Sequence, residues 1–575
     1  MVTTADLNMS KKDNLYFPYD LDDQIKNWKY KVELKQLGLP EIKKKFGKKF
    51  IAIQIDALPF AIVEKYLHTP HCKFLRKLIT DNHYFISKFN CGLPSDTPTV
   101  TAGIFYGNSE AVAGFRIVDK KNKRMMTFAD PEVAYETEQI LKKKNPGILK
   151  EGSAFVSHYS AGAERSFLTM STLTHKGRLK RLKESNIIML MLLNPFILIK
   201  VAYTSLIELI LELYDAIRTF FHRIFIVKEK KTRFKMIFPF KRLIYQGFVM
   251  EIQKIGAILD MNRGVPRIYL NFHAYDDLIH RRGMESTASL RVLRQIDRTI
   301  QKIYREKPED YDIYIFSDHG AEDSTPFDKL YDESLENFLH TLTKAEVHKA
   351  QERADWPTRL RKGAVRMGNA TSYLTGPVRW ITKLILKAIS KEFREKERAA
   401  PWKDKEQIFI MNVGGFAQVY FNISQKRMDL SQIKKKYPRL IKGLRNHPGI
   451  GFFVVKEKEN THLICWDSSI TIMNRPVKGK VKIVSRKGRD FLKKYGKTDV
   501  LLKQLQSLTN RDHVGDIILF GNYHDGKMVS FGDYYAAHGG AGKQVQAPFF
   551  ISEQGFDLTR VTSPDELYKI FKQYL

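Results

Sequence analysis

Residues 268–280 read IYLNFHAYDDLIH. An apolar strand, IYLNF, ends in a run of polar residues that includes Asp276 and His280. An amphipathic helix follows over 286–304 (STASLRVLRQIDRTIQKIY), with Leu290, Leu293, Ile296, Ile300 and Ile303 on one face. It leads into a second strand, Ile313 to His319 (IYIFSDH), which ends on Asp318 and His319. Strand, helix, strand in this order predicts parallel pairing through a right-handed crossover. An earlier stretch, Phe50 to Asp56 (FIAIQID), again places an acid where an apolar strand stops. In open α/β sheets, sites form at the carboxyl ends of strands, and all three strands deliver their polar residues there. An Asp at such a point is as often a plain turn residue, so it is the shared polarity that argues for a single site. Tyr534 to His538 (YYAAH) adds an imidazole, and Leu93 to Gly103 (LPSDTPTVTAG) is a turn crowded with hydroxyls. Three carboxylates, three imidazoles and one hydroxyl suit two divalent ions and an oxygen nucleophile. The expected fold class is α/β: a central, mostly parallel sheet flanked by helices, with helical insertions.

The order of these motifs carries a resemblance. Asp56 comes first, then Thr97 in a Pro-flanked loop followed by Thr101-Ala102-Gly103. Asp276-x-x-x-His280-x-x-Gly283, Ser317-Asp318-His319-Gly320 and a late His538-Gly539 complete it. The set resembles the alkaline phosphatase superfamily, and within it the type I phosphodiesterase/nucleotide pyrophosphatase branch. The resemblance implies an alkaline phosphatase-like fold and a metal-dependent hydrolase of phosphoric ester bonds. It places one metal on Asp276, His280 and His538, a second on Asp56, Asp318 and His319, and the nucleophile on Thr97. Zn²⁺ is the expected ion, with Mn²⁺ or Mg²⁺ as alternatives. The implied activity is a two-metal phosphohydrolase or phosphotransferase acting on phosphodiesters, nucleotide or lipid-linked, through a phosphothreonine intermediate. The chemistry is coherent in itself: two ions about 4 Å apart can hold the attacking and leaving oxygens of an in-line displacement. Metal coordination also activates a hydroxyl that is otherwise a poor nucleophile.

Ser95, Thr99 and Thr101 stand close to Thr97. The family's nucleophile sits in a Pro-bounded turn just before a helix bearing a small Ala-Gly element, which Thr97-Pro98 and Ala102-Gly103 match. Pro98 suits a first helical turn, whose free amides help hold a phosphate. The neighbouring hydroxyls are read as capping or packing groups. The chain departs from the pattern after this helix, since Gly114 to Lys121 (GFRIVDKK) lacks the Asn that commonly holds a phosphate oxygen. Asn108, Arg116 or Lys120 is the candidate for that role. A sulfatase would show Cys-x-Pro-x-Arg, which Cys91-Gly-Leu-Pro does not match, and a cofactor-independent phosphoglycerate mutase would use Ser. His273 and Asp277 flank Asp276 and are read as orienting groups.

At 575 residues the chain is too long for one simple core. The boundaries read from it are 1–47, an N-terminal extension; 48–155, core with Asp56 and the nucleophile; 156–245, a helical insertion; 246–325, core with the metal motifs; 326–405, a helical cap or side insertion; and 406–575, core with the late His538. A hairpin around Asp525-Gly526 is expected within 516–531, delivering His538, and a helix capped by Ser563 over 563–575. Three widely spaced cysteines argue against a disulfide framework and fit a reducing compartment. No apolar run follows the charges of the first residues, so no signal peptide is read.

The net charge of +33 favours a polyanionic partner. Basic runs at 176–183 and 228–235 flank the least globular segment. Residues 187–199 (IIMLMLLNPFILI) are apolar but shorter than the roughly 20 residues of a spanning helix. Residues 201–227 read as a helix with one narrow polar stripe, Glu208, Glu212, Asp215, Thr219 and His222. A buried core helix and a homo-oligomer interface through 187–227 are two readings. The third, which the basic flanks favour, is a hairpin lying in one leaflet of an anionic membrane surface. The expected location is therefore cytoplasmic, peripheral to the inner face of the membrane. Nucleic acid is disfavoured as a partner, because no basic motif interleaved with aromatics is present. The alternatives to a phosphodiesterase are a phosphomonoesterase of the same fold and a non-enzymatic scaffold associated with nucleic acid or membrane.

Overall fold

Six of the seven residues of the strand Lys49–Ile55 are buried. A strand covered on both faces loses the alternation of polar and apolar residues, which marks the middle of a parallel sheet. In the computed structural model it lies between Arg267–Phe272 and Tyr311–Phe316, parallel to both. The register sets Ile55 beside Phe272 and Gln54 beside Phe316. Asp56, His273 and Ser317-Asp318-His319 therefore leave the sheet at one edge. The sheet has seven strands in the order Phe85–Lys88, Phe549–Ser552, Tyr311–Phe316, Lys49–Ile55, Arg267–Phe272, Ser153–Phe155 and Arg165–Phe167. Phe549–Ser552 alone runs opposite to the other six strands. The helix Thr287–Arg305 links two of the parallel strands, as its amphipathic pattern predicts. The fold is thus mixed α/β with a large, mostly parallel sheet flanked by helices.

A second sheet of eight strands is not anticipated by the sequence patterns. Its order is Glu346–Lys349, Gln407–Val413, Phe416–Phe421, Ile517–Gly521, Ile450–Glu457, Asn460–Ile464, Ser469–Met473 and Ile483–Lys487. All its pairs except the first are antiparallel. The segment read as a helical cap thus carries a strand, because pairing with Gln407–Val413 overrides the local helical pattern. The expected hairpin forms between Tyr523–His524 and Lys527–Ser530, with Asp525 and Gly526 both at positive φ.

The structure describes residues 41–174, 249–349 and 402–575 apart from 45 and 404, together with residues 35, 203, 206, 207, 210, 213, 214, 217 and 218. Residues 47–181, 266–301 and 309–575 form one compact unit, which holds both sheets and every site residue. Residues 1–46, 182–265 and 302–308 form another, with the helix Met250–Asn262. The reading of 187–227 lies outside the described residues except at eight helical positions between 203 and 218, among which Leu206, Ile210 and Ile217 are exposed. Among the described residues no helix is long and apolar enough to cross a membrane.

Candidate metal centre

Asp96 starts the helix Thr97–Tyr106 by accepting the Thr99 amide at 3.0 Å on one carboxylate oxygen. Its other oxygen accepts the Phe115 amide at 2.8 Å. One buried side chain thereby fixes both the helix start and the loop that follows the helix. Pro98 occupies the first turn, where its missing N–H costs nothing. Gly103 allows close packing: a Cβ there would lie 2.6 Å from Pro564 Cγ and 2.8 Å from Asp565 Oδ1. The same Asp565 oxygen accepts the Ser109 amide at 2.8 Å, locking the far end of the helix.

His538 reaches this point through paired backbone. Ala536–Ala537 pairs with Asp323 and Glu322, and Ser95 and Gly539 exchange amide hydrogen bonds of 3.1 and 2.9 Å. Gly539 has φ +93, and a Cβ would sit 2.7 Å from the Val413 carbonyl. Glu322 accepts the Gln544 amide at 2.7 Å and the Tyr523 hydroxyl, holding the loop after His538.

The ligand atoms of Asp276, His280 and His538 lie within 4.8 Å of one another, and so do those of Asp56, Asp318 and His319. All six are buried save His280, which is half-buried. Thr97 Oγ1 stands 3.4 Å from Asp56 Oδ1 and 3.3 Å from His319 Nε2. Each imidazole has Nδ1 on a backbone carbonyl: His280 on Ala536 at 2.8 Å, His319 on Gly320 at 3.0 Å, His538 on Ser95 at 3.3 Å. A carbonyl only accepts, so Nδ1 carries the proton and Nε2 is left as a lone-pair ligand atom.

The electrostatics fit cations. Asp276 Oδ1 and Asp318 Oδ2 are buried without a hydrogen bond, although Nε2 of His280 lies 3.2 Å from the first and Nε2 of His319 3.3 Å from the second. These atoms converge as ligands do, without donor–acceptor alignment. Burial and then the neighbouring Asp56 charge push the Asp318 carboxyl up to about 7. For Asp276, burial is outweighed by His280 and His538, which hold the carboxyl far below its usual range. Burial and the adjacent His319 drive the His538 imidazole down to about 3. A neutral imidazole among carboxylates that lack enough positive charge is a donor set for divalent ions.

Of the other hydroxyls, Ser95 Oγ donates to the Gly92 carbonyl at 2.8 Å and Thr101 Oγ1 to the Thr97 carbonyl at 2.5 Å. The hydroxyl of Thr99 is buried without a hydrogen bond. Asn108, Arg116 and Lys120 are placed on other partners. Asn108 accepts from Lys144 Nζ at 3.4 Å, Arg116 donates to the Asn412 carbonyl at 2.9 Å, and Lys120 forms a buried ion pair with Asp516 at 3.0 Å. His273 Nδ1 pairs with Asp56 Oδ2, and Asn271 Nδ2 donates to the same oxygen at 3.0 Å. Asn271 escapes the sequence reading, although its one signal was visible: a polar residue inside the apolar strand IYLNF.

Two candidate acid–imidazole ligand sets thus stand beside a buried threonine at the carboxyl edge of a mostly parallel sheet. Residues 266–513 match the family model described as type I phosphodiesterase / nucleotide pyrophosphatase. Residues 266–513 are thus similar to that family, which supports a phosphoric ester hydrolase. The matched range contains Asp276, His280, Asp318 and His319, while Asp56, Thr97 and His538 lie outside it. Among solved structures the chain is similar to phosphonoacetate hydrolase from Sinorhizobium meliloti 1021 in complex with phosphonoacetate, at 10% identity and TM-score 0.45, covering 92% of this chain and 97% of that one. It is also similar to an inactive variant of murine ectonucleotide pyrophosphatase/phosphodiesterase 5 in complex with AMP, at 10% identity and TM-score 0.41, covering 92% and 94%. No curated protein sequence gives a significant match.

Proposed function

We propose that this chain hydrolyses phosphodiesters in two displacements through a covalent phosphothreonine on Thr97. The observation that carries the reading is Thr97 Oγ1, buried at a helix start and placed 3.3 Å from His319 Nε2 and 3.4 Å from Asp56 Oδ1. Asp276, His280 and His538 would hold one divalent ion and Asp56, Asp318 and His319 the other. When bound, the ions neutralise phosphoryl charge and lower the pKa of coordinated hydroxyls. Thr97 Oγ1 attacks phosphorus as the P–O bond to the leaving group breaks, and the proton it gives up ends on the departing alcohol. Water then cleaves the phosphothreonine, restoring the Thr97 hydroxyl and releasing the phosphomonoester. Pro98 has no N–H and the Thr99 amide is held by Asp96, so the Thr97 amide is the first-turn donor that would meet a phosphoryl oxygen. His273 and Asn271 orient Asp56 by holding its second oxygen.

A lipid-linked diester at an anionic membrane face is the substrate class we favour, on the basic runs that flank 187–199 and 201–227. Nucleotide diesters are the alternative, and Zn²⁺ is the ion most suited to the mixed carboxylate–imidazole set. The test is a panel of phospholipids, nucleotide diesters and phosphomonoesters, assayed with Zn²⁺, Mn²⁺ and Mg²⁺. Chelation should abolish turnover, and Thr97→Ala should lower it by about three orders of magnitude or more while Thr97→Ser retains part. Full activity of Thr97→Ala, or loss confined to Ser95→Ala or Thr99→Ala, would refute the assignment of the nucleophile.

A further inference from the structure

The eight-stranded sheet ends on Ile483–Lys487, a strand that pairs only with Ser469–Met473 among the described residues and has all five side chains exposed. Residues 475–497 around it hold ten Lys and Arg against one Asp. Two of the ten are paired, Arg486 with Asp490 at 3.3 Å and Arg489 with Asp467 at 3.5 Å. Lys478, Lys480 and Lys482, on the turn between the two strands, are exposed and make no ion pair among the described residues. A Cβ at Gly479 would meet no atom within 4 Å, so the turn projects clear of the sheet.

Positive charge at this density attracts a polyanion, and the residues between the lysines decide which kind. Val477 is 40% exposed, Ile483 43%, Val484 52%, and Trp466, on the turn leading into Ser469–Met473, 64%. Aliphatic side chains offer nothing to nucleic acid bases, which stack on flat rings and guanidinium planes, and a single Trp makes no stacking track. An acidic peptide adding as a further strand would need an inviting edge, whereas lysines on an edge keep strands away. A lipid surface uses both features at once. Lysines meet anionic head groups, while Val, Ile and Trp settle at the boundary between head groups and acyl chains.

We propose that the hairpin of Ser469–Met473 and Ile483–Lys487, with its turn, docks this enzyme on anionic lipid surfaces. The inference stands apart from the reading of 187–227 and from the catalytic assignment. Its test uses the full chain, sedimented with vesicles of phosphatidylcholine alone or mixed with phosphatidylserine. Wild type should bind the mixed vesicles far more tightly. Lys478→Glu, Lys480→Glu and Lys482→Glu together should weaken that binding on the order of a hundredfold, with melting temperature and hydrolysis of a soluble diester unchanged. Cys72, Cys91 and Cys465 are buried, so Val477→Cys can carry an environment-sensitive fluorophore on the turn. Its emission should shift to the blue on mixed vesicles and stay unchanged on homopolymeric RNA. A triple variant that binds within twofold of wild type, or a fluorophore that remains in water on vesicles, overturns the proposal. A shift with RNA alone reassigns the surface to nucleic acid and overturns it equally.

Discussion

Replacing Lys120 distinguishes a phosphate contact from a structural ion pair. Its ammonium lies 3.0 Å from both carboxylate oxygens of Asp516 and 2.9 Å from the Lys426 carbonyl. The pair is nearly sealed from water, with side-chain exposures of 8% and 0%. Asp516 also accepts the amides of Phe421 at 2.8 Å and Met428 at 2.6 Å. One carboxylate therefore ties the loop carrying Lys120 to the end of Phe416–Phe421 and to the chain beyond it. Burial pulls the Lys120 pKa down and Asp516 only partly restores it, so charge must be matched by charge here. Lys120→Met keeps the stem but leaves the Asp516 anion buried with two amide donors and no directly bonded cation, the nearby Arg427 acting only through its field. Breaking one side of a buried pair costs about 3–5 kcal/mol. At roughly 2–3 °C per kcal/mol, the melting temperature should fall by about 10 °C. Calorimetry gives the melting temperature, and kcat/KM for a soluble diester well below the transition should stay within twofold of wild type. Adding Asp516→Asn should cost less than the sum of the two single changes, because the second removes the stranded charge. An unchanged melting temperature with KM raised tenfold would refute this reasoning and return Lys120 to the substrate.

Gly103→Ala should cost about 1–3 kcal/mol of stability through overpacking against Pro564 and Asp565. Because the displaced helix begins at Thr97, kcat should fall at least tenfold, with Pro564→Ala restoring part of it; full activity would show that the helix start is insensitive to its packing. Burial raises the Asp297 carboxyl to about 6, although it accepts the Phe74 and Leu75 amides at 2.9 Å each. The folded state then keeps a proton that the unfolded chain, near 3.9, has released. Stability from this group is thus greatest below about pH 4, falls as pH rises to about 6, and stays lower above that by about 3 kcal/mol. Urea midpoints of wild type and Asp297→Asn should drift apart over pH 4–6 in the variant's favour, and parallel curves would exclude the effect.

The parallel strands were legible because burial on both faces turns each into an unbroken apolar run, so FIAIQI, IYLNF and IYIFS declare themselves, and the acids that end them mark the site edge. The second sheet was not. Phe416–Phe421 pairs with Ile517–Gly521 across about a hundred residues, and Glu346–Lys349 meets Gln407–Val413 across the intervening insertion. Such pairings are fixed by non-local packing, which no local period reports. Among the orienting groups, His273 was read from its place beside Asp276, whereas two others escaped for the same reason. Asn271 meets Asp56 at a separation of 215 residues, and Asp96 secures the Phe115 amide 19 residues on, in a role its N-cap position does not reveal.

The hydrogen bonds behind the ligands show why the two sets cannot be tuned separately. His280 rests on the carbonyl of Ala536, in the strand that presents His538, and His538 rests on the carbonyl of Ser95, two residues before Thr97. The Ser95–Gly539 bridge closes the same path through the backbone. One candidate set's imidazoles are thus positioned by the loop that carries Thr97, the proposed nucleophile, while Thr97 itself faces His319 and Asp56 of the other set. A shift of that loop would move His538 and Thr97 together. This coupling also accounts for the small residues at the joint. Gly539 and Gly103 let their neighbours pack so closely that an added Cβ would lie 2.7 Å from the Val413 carbonyl and 2.6 Å from Pro564 Cγ, and this close packing holds the loop in place.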